Sequence, residues 1–354
     1  MSPFFKWLYL SLVFAAVGIL WLGISRTGQV PGRANDGEGY RPIATKIEEA
    51  KAIMSRAEVQ IAAVTIDPEF DRMAVIPGGP FFMGDAAGGA IEQPERTITL
   101  STYRIDVYET TFAHYYAFVA ATGHRKPLLY SYPNVEVTPL PFITTPFNPV
   151  VGVAWDDASA YCRWKGKRLP TEAEWERAAK GTGRRAWVWG DEEQPSFANL
   201  VGEDDGLKYA APVGAFRRDR SPDGVYDMTG NAMEWVADWF DERAYAAMPA
   251  SDPTGPPTGK ERVIRGASWN DALERGRTVT RFKTRPIYRD VTIGFRCAAS
   301  DRPAKGSARA LPADPSAPIA SSVFLLDTVA GLSYNAAVFA GFTRRALRGG
   351  FGNG

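Results

Sequence analysis

Four side chains are suited by type to metal or redox chemistry: Cys162, Cys297, His114 and His124. They are the only cysteines and histidines among 354 residues. Two thiols allow at most one intrachain disulfide and cannot build an all-cysteine zinc or iron–sulfur site. Two imidazoles exclude a catalytic zinc held by three histidines. Between residues 187 and 259 Asn, Asp and Gly dominate and periodicity is scarce. Such a stretch has to be ordered by side-chain packing, hydrogen bonds or ions. Another chemically pointed residue is Asp327, which stands with Asn335 inside the apolar run 319–342. A carboxylate in hydrocarbon is costly and calls for a protein partner.

These residues need a scaffold, and composition bounds what it can be. Apolar residues make up 45% and charged residues 23%, which excludes global disorder. Lys plus Arg is 41 and Asp plus Glu is 40, so no dense basic face marks a nucleic-acid binder. With 34 Gly and 26 Pro the chain is rich in turns, and a long helical bundle is not expected. Met73–Met83 reads as a strand, a Pro77-Gly78-Gly79-Pro80 turn and a second strand, and Thr97–Val107 alternates as one strand. Helical spacing runs over Thr110–Thr122 and stops at Gly123, with His114 expected partly exposed and His124 structural at the helix end. Trp155–Trp164 reads as a short helix with Asp156 as its cap. Thr171-Glu172-Ala173-Glu174 is a capping box opening a helix to about Lys180.

The ends differ in character from the middle. Residues 1–25 read as a membrane anchor, because Trp7–Ser25 carries no charge and rises about 28 Å as a helix. A cleaved signal peptide is the competing reading, although no small-x-small site stands out after Leu22. Residues 26–65 read as a linker and stalk helix, with Ile47, Ala50, Ile53, Met54, Ala57 and Ile61 on one stripe. The main soluble domain spans 66–300, and 301–318 is a Pro/Ala linker. Residues 319–354 leave three readings open: a second membrane helix with Arg344, Arg345 and Arg348 inside, an interfacial helix, or a helix docked on the domain.

Within 66–300 the motifs become recognisable. Ile76-Pro77-Gly78-Gly79-Pro80-Phe81-Phe82-Met83-Gly84, Tyr103–Thr111, and the run from Cys162 through Arg168-Leu169-Pro170-Thr171-Glu172-Ala173-Glu174-Trp175-Glu176 follow in order. Gly230-Asn231-Ala232-Met233-Glu234-Trp235, Arg265-Gly266-Ala267-Ser268-Trp269 and Gly294-Phe295-Arg296-Cys297 complete the series. The sequence resembles the formylglycine-generating enzyme, or sulfatase-modifying factor, family over about residues 70–299. The resemblance implies an α+β fold, an irregular, loop-rich variant of the C-type lectin fold, here with an N-terminal transmembrane helix.

Members of that family oxidise a sulfatase cysteine to formylglycine with oxygen, using copper(I) on two cysteine thiolates, soft ligands that suit the ion. At the two positions the resemblance assigns, this chain has Asp271 and Gly276. Copper and formylglycine-generating activity are therefore not expected. The family's iron-dependent sulfoxide synthases need an added helical domain with histidine ligands, which this chain lacks. The resemblance also implies a Cys162–Cys297 disulfide, the alternative being two buried thiols. It would close a loop of about 136 residues, a constraint of about 5 kcal/mol in the chain-entropy view.

Calcium is the cofactor the resemblance implies, at Asn199, Leu200, Asp205 and Leu207 and at Asp227, Gly230, Ala232 and Glu234. Side-chain and carbonyl oxygens suit that hard cation, and Glu203 and Asp204 are further candidates. Ordinary Asx turns and a capped helix are the alternative. Arg265, Ser268, Trp269, Asp271 and Arg281 are expected around a polar cleft, with Asp271 either a base or an Asx-turn residue. The expected protein is anchored in the inner membrane with its domain in the periplasm. It would serve as an accessory, scaffold or assembly subunit of a membrane or periplasmic complex, with no nucleic-acid partner. The alternative is a periplasmic tailoring enzyme acting on a peptide or exported protein without the copper site.

Overall fold

The computed structural model describes residues 64–128, 145–202 and 209–301, together with Ile61 and Leu207. All lie in the first of two units into which the chain divides, Met1–Ala304; the second, Lys305–Gly354, falls outside them. The anchor, most of the stalk, the Pro/Ala linker and the C-terminal segment likewise lie outside the described residues, as do Glu203, Asp204 and Asp205. Among the described residues no helix is long and apolar enough to cross a membrane.

Among the described residues nine short strands and a few helices alternate with loops, a mixed α+β architecture. Strands β1 (Met73–Ile76) and β2 (Gly79–Met83) flank the expected turn but do not pair with each other. The run expected as one strand is two, β3 (Arg96–Leu100) and β4 (Tyr103–Asp106), broken at Ser101-Thr102. The break lets β3 pair with β2 in one sheet while β4 sits between β1 and β9 (Ala298–Ser300) in another. Asp252 holds it open, accepting from both the amide and the hydroxyl of Ser101 at 2.7 Å. Alternation alone does not reveal such a change of sheet.

Helix α1 (Phe112–Thr122) starts on the Thr111 side chain and ends on Gly123 in the left-handed conformation, φ 70°. It is buried on several faces, and His114, expected partly exposed, is only 5% exposed. Helix α2 (Trp155–Trp164) has the expected bounds. Its cap differs: the Asp157 carboxylate accepts from the Ala154 amide at 2.9 Å, while Asp156 faces Arg125 outside. His124 bonds the same Asp157 at 2.8 Å and so ties the end of α1 to the start of α2. Helix α3 (Glu172–Lys180) opens on the Thr171–Glu174 capping box, both halves formed.

The functional centre rests on a four-stranded sheet ordered β7 (Arg281–Thr284), β6 (Arg262–Arg265), β5 (Met233–Trp239) and β8 (Ile293–Gly294). Strand β5 had no counterpart in the sequence reading, because it emerges directly from the irregular stretch. Phe112, Tyr115, Phe118, Tyr161, Trp235 and Phe295 pack on one face of the core, and Ile61, the last residue of the stalk stripe, joins them. Trp175, Val236, Val263, Tyr103 and Ile105 form a second cluster beneath α3. The Cys162–Cys297 bond joins α2 to the residue before β9.

Candidate functional site

The Arg265–Arg281 segment carries the positions where a thiolate pair was sought. Ser268 and Asp271 close a tight loop: one Asp271 oxygen accepts from the Ser268 amide at 3.0 Å and from its hydroxyl at 2.5 Å. The other accepts from Arg275 Nε. Both carboxylate oxygens are thus committed to holding the loop; the bond runs three residues back along the chain, so Asp271 is neither the forward-bonding Asx-turn residue nor the free base expected from the sequence. Gly276 follows in a single 3-10 turn, Leu273–Gly276. A Cβ on Gly276 would stand 2.5 Å from the Thr229 carbonyl oxygen and 2.8 Å from its Cγ2. The residues present do not fit copper(I): one is an ion-paired carboxylate, and the other has neither a side chain nor room for one.

A cleft of about 780 Å³ opens beside this loop. Trp269, Asn270, Arg275, Phe240, Phe282, Lys283 and Tyr288 contribute to its lining. The cationic heads lie over rings, Arg275 4.3 Å from the Phe282 centroid and Lys283 4.6 Å from that of Phe240. Of the five residues expected here, Trp269 and Arg281 line the cleft. Arg265, Ser268 and Asp271 do not, the first two being fully buried.

Arg265 and Arg281 instead belong to a buried ionic lattice on α3. Arg281 binds Glu172 with two nitrogens, at 2.6 and 2.9 Å. Arg265 reaches Glu172 at 3.1 Å and Glu176 at 2.7 Å. Glu176 also accepts from Lys180 at 2.7 Å. Burial works to raise the Glu176 pKa, but the Lys180 and Arg265 charges outweigh it and hold the group down at about 2. The expectation that Arg265 lines the cleft is not met, because a charge in a motif does not say which way it faces. Here both arginines pin the strand ends that frame the cleft. The missed residues Arg275, Phe282 and Lys283 had only a mixed aromatic and basic stretch after Arg265 as a signal.

The implied calcium ligands form a second centre, built around Asn231. Its backbone is left-handed, φ 80°, a conformation asparagine tolerates better than most residues. The amide nitrogen donates to Glu109 at 2.7 Å and its oxygen accepts from Asn199 at 2.9 Å. Asn199 thereby spends its nitrogen, donating also to the Tyr209 carbonyl at 3.1 Å, while its buried Oδ1 has no hydrogen-bond partner. An orphaned buried oxygen costs about 1–3 kcal/mol. It fits a hard cation supplied with the Leu200 carbonyl, and Leu207 is the other described member of that set.

The other proposed set is arranged differently. Glu234 Oε1 accepts from Arg296 at 2.7 Å, and Oε2 accepts from the Trp175 indole at 2.9 Å. Arg296 is fully buried and also donates to the carbonyls of Asp106, Val107 and Tyr226. Asp227, with φ 57°, accepts from the Gly214 amide, and Asp219 accepts from the amides of Thr229 and Gly230. Burial, then Asp219, push the Asp227 pKa up to about 8; burial pushes Asp219 to about 7 and holds Glu109 well above the carboxylate range. Four buried carboxylates around the Arg296 charge constitute an acid excess that a cation or bound protons would offset. Among the described residues no three His, Cys, Asp or Glu side chains stand in ligating geometry. Any cation here would draw on carbonyl and amide oxygens. Glu109, Asp219, Asn231 and Arg296 were not singled out from sequence, although Glu109, Asn231 and Arg296 stand inside motifs that were.

Comparison with known proteins agrees with this picture. The profile of the "Sulfatase-modifying factor enzyme 1-like domain" matches residues 60–301. A formylglycine-generating enzyme of Streptomyces coelicolor is 37% identical over 287 residues, covering 66% of this chain and 90% of that protein. The inactive C-alpha-formylglycine-generating enzyme 2 of Mus musculus is 32% identical over 279 residues, covering 64% and 85%. Among solved structures, PvdO from Pseudomonas aeruginosa superposes with a TM-score of 0.56 at 28% identity, over 64% of this chain and 94% of that one.

Proposed function

Because the chain belongs to the sulfatase-modifying factor family, with a C-type-lectin-like fold, and yet carries Asp271 and Gly276 where thiolates would stand, we propose that it is a member without formylglycine-generating activity. Its domain serves as an accessory or assembly subunit, holding a segment of a partner protein in the cleft beside Trp269. The observation that carries this reading is the closed Ser268–Asp271–Arg275 loop with Gly276 packed on Thr229. It leaves the cleft open and offers no thiolate to a reacting metal. A relative described as inactive supports it, since the same domain persists there. The cleft's mixture of aromatic rings with Arg275, Lys283 and Glu242 suits an extended peptide carrying apolar and charged side chains.

The setting is part of the same proposal. The uncharged stretch Trp7–Ser25 supports an inner-membrane anchor. The Cys162–Cys297 bond supports an oxidising compartment, hence a periplasmic domain. Asp327 within an apolar run supports a membrane partner. Calcium on the Asn199 set and beside Asp227 would supply cohesion rather than chemistry. The test is purification of the full chain from its native membrane in mild detergent. A stoichiometric partner, lost when Trp269→Ala and Phe282→Ala are combined, is the expected result. Turnover of an exported peptide by the chain without any partner would replace this reading by the tailoring enzyme.

A further inference from the structure

A second cavity, of about 550 Å³, shares no lining residue with the cleft beside Trp269. It lies between the β3–β4 turn, the first turn of α2, residues 252–254 and the start of β6. At its wall stands Arg262. The guanidinium carbon is 3.7 Å from the ring centroid of Trp155 and 3.5 Å from that of Trp239. Two indoles at such distances cannot share one face of a planar group, so both faces of the guanidinium are covered and only its edges remain. Trp155 is fixed in turn by its indole N–H, which donates to the Val236 carbonyl at 2.8 Å.

The edges are poorly satisfied. Nη1 donates to the Ala237 carbonyl, and Nε is buried without a partner and out of reach of the cavity, which leaves the Nη2 side of the guanidinium to a ligand. No carboxylate among the described residues forms an ion pair with Arg262. Of the other charges around the cavity, Arg168 grips Glu174 with two nitrogens, and Asp252 accepts from the amide and hydroxyl of Ser101. Burial lowers the Arg262 pKa to about 10, against the opposing pull of Asp238, so the group remains a cation at neutral pH. A cation fixed by two indoles, lining a cavity and lacking a counter-ion, is a pre-ordered anion receptor.

We propose that this cavity is a ligand site that takes a carboxylate on the edge of the Arg262 guanidinium. A planar carboxylate matches that edge. A dianionic phosphate would bring a second negative charge beside Asp252, whose carboxylate also lines the cavity and has only neutral donors among the described residues, whereas a carboxylate brings one charge to the unpaired Arg262 cation. The carboxylate belongs either to a small free acid or to the C-terminus of a peptide. This site is independent of the reading of the Trp269 cleft.

Isothermal titration of the detergent-solubilised full chain at fixed ionic strength tests it. The probes are acetate, an N-acetylated tripeptide with a free C-terminal carboxylate, and the same tripeptide as its amide. The peptide acid should bind at least tenfold more tightly than the amide, a comparison that needs no variant. Acetate binding as tightly as the peptide acid would assign the site to small acids; tighter binding of the peptide acid would assign it to chain ends. Thr254→Trp, which narrows the cavity and leaves Arg262 and its indoles in place, should abolish binding with an unchanged melting temperature. Equal binding of acid and amide, no binding of any carboxylate, or binding that survives Thr254→Trp would make the Arg262 clamp a purely structural device.

Discussion

Gly276 lies against Thr229 so closely that a Cβ added to it would stand 2.5 Å from the Thr229 carbonyl oxygen. The same carbonyl accepts from the Ala267 amide at 3.1 Å and so anchors the loop that carries Asp271. The loss of a thiolate pair is therefore built into backbone packing and is more than a change of two side chains. Restoring the pair should not restore the metal. Gly276→Cys should cost about 1–3 kcal/mol through overpacking. The Asp271→Cys, Gly276→Cys double variant should melt lower than the parent and fail to hold copper(I) against a competing chelator. Stoichiometric copper with an unchanged melting temperature would show that the loop can open.

His114 makes the domain acid-sensitive. Burial lowers its pKa to about 4, against the pull of Asp71, with Lys165 and Lys167 lowering it further. Its Nδ1 meets Thr111 at 2.7 Å, while Nε2 stops 3.6 Å from Asp71. The folded pKa lies below the unfolded value of about 6.5. The group's contribution is thus full above that value and is lost as pH falls toward about 4. His114→Asn should remove up to about 1.4 kcal/mol per pH unit from the decline in unfolding free energy between about pH 6 and pH 4.5. Parallel declines in variant and parent would count against a neutral buried imidazole.

The Cys162–Cys297 bond spans a sequence separation of 135. Removing it should cost about 2–5 kcal/mol. Urea unfolding of the Cys162→Ala, Cys297→Ala variant measures the loss, and non-reducing peptide mapping of protein isolated from its native host checks that the bond forms there.

Calcium removal should lower the melting temperature, because the Asn199 oxygen and the acid excess near Asp227 would lose their cation. Binding to the folded form alone contributes about 2.7 kcal/mol at a hundredfold excess over Kd. Asn199→Leu, which deletes the orphaned oxygen, should blunt the response to chelator in thermal scans. A melting temperature indifferent to chelator, with no calcium by elemental analysis, would leave a protonated, hydrogen-bonded loop.

Much of the local structure was legible because its signals are local. Thr111 with Gly123 bounds one helix, and the Thr171–Glu174 box opens another; each is written within a few residues. The motif order pointed to the family, and that resemblance implied the Cys162–Cys297 pairing found in the structure. What escaped depends on distant partners. The break at Ser101 is set by Asp252, and Arg265 turns inward because Glu172 and Glu176 wait on another helix. Strand β5 follows a segment whose order comes from side-chain bonds to Glu109 and Asn199, which no periodicity encodes. The cleft walls at Phe240 and Phe282 come from separate strands' ends and meet only in the fold.

The most direct test of the central claim is mass spectrometry of a sulfatase-type cysteine peptide incubated with the full chain, copper and oxygen. With Asp271 and Gly276 in the thiolate positions the peptide's cysteine should stay unmodified, with or without added copper. Copper- and oxygen-dependent conversion of that cysteine to formylglycine would contradict the claim, and with it the reading of the chain as a family member that holds a partner without transforming it.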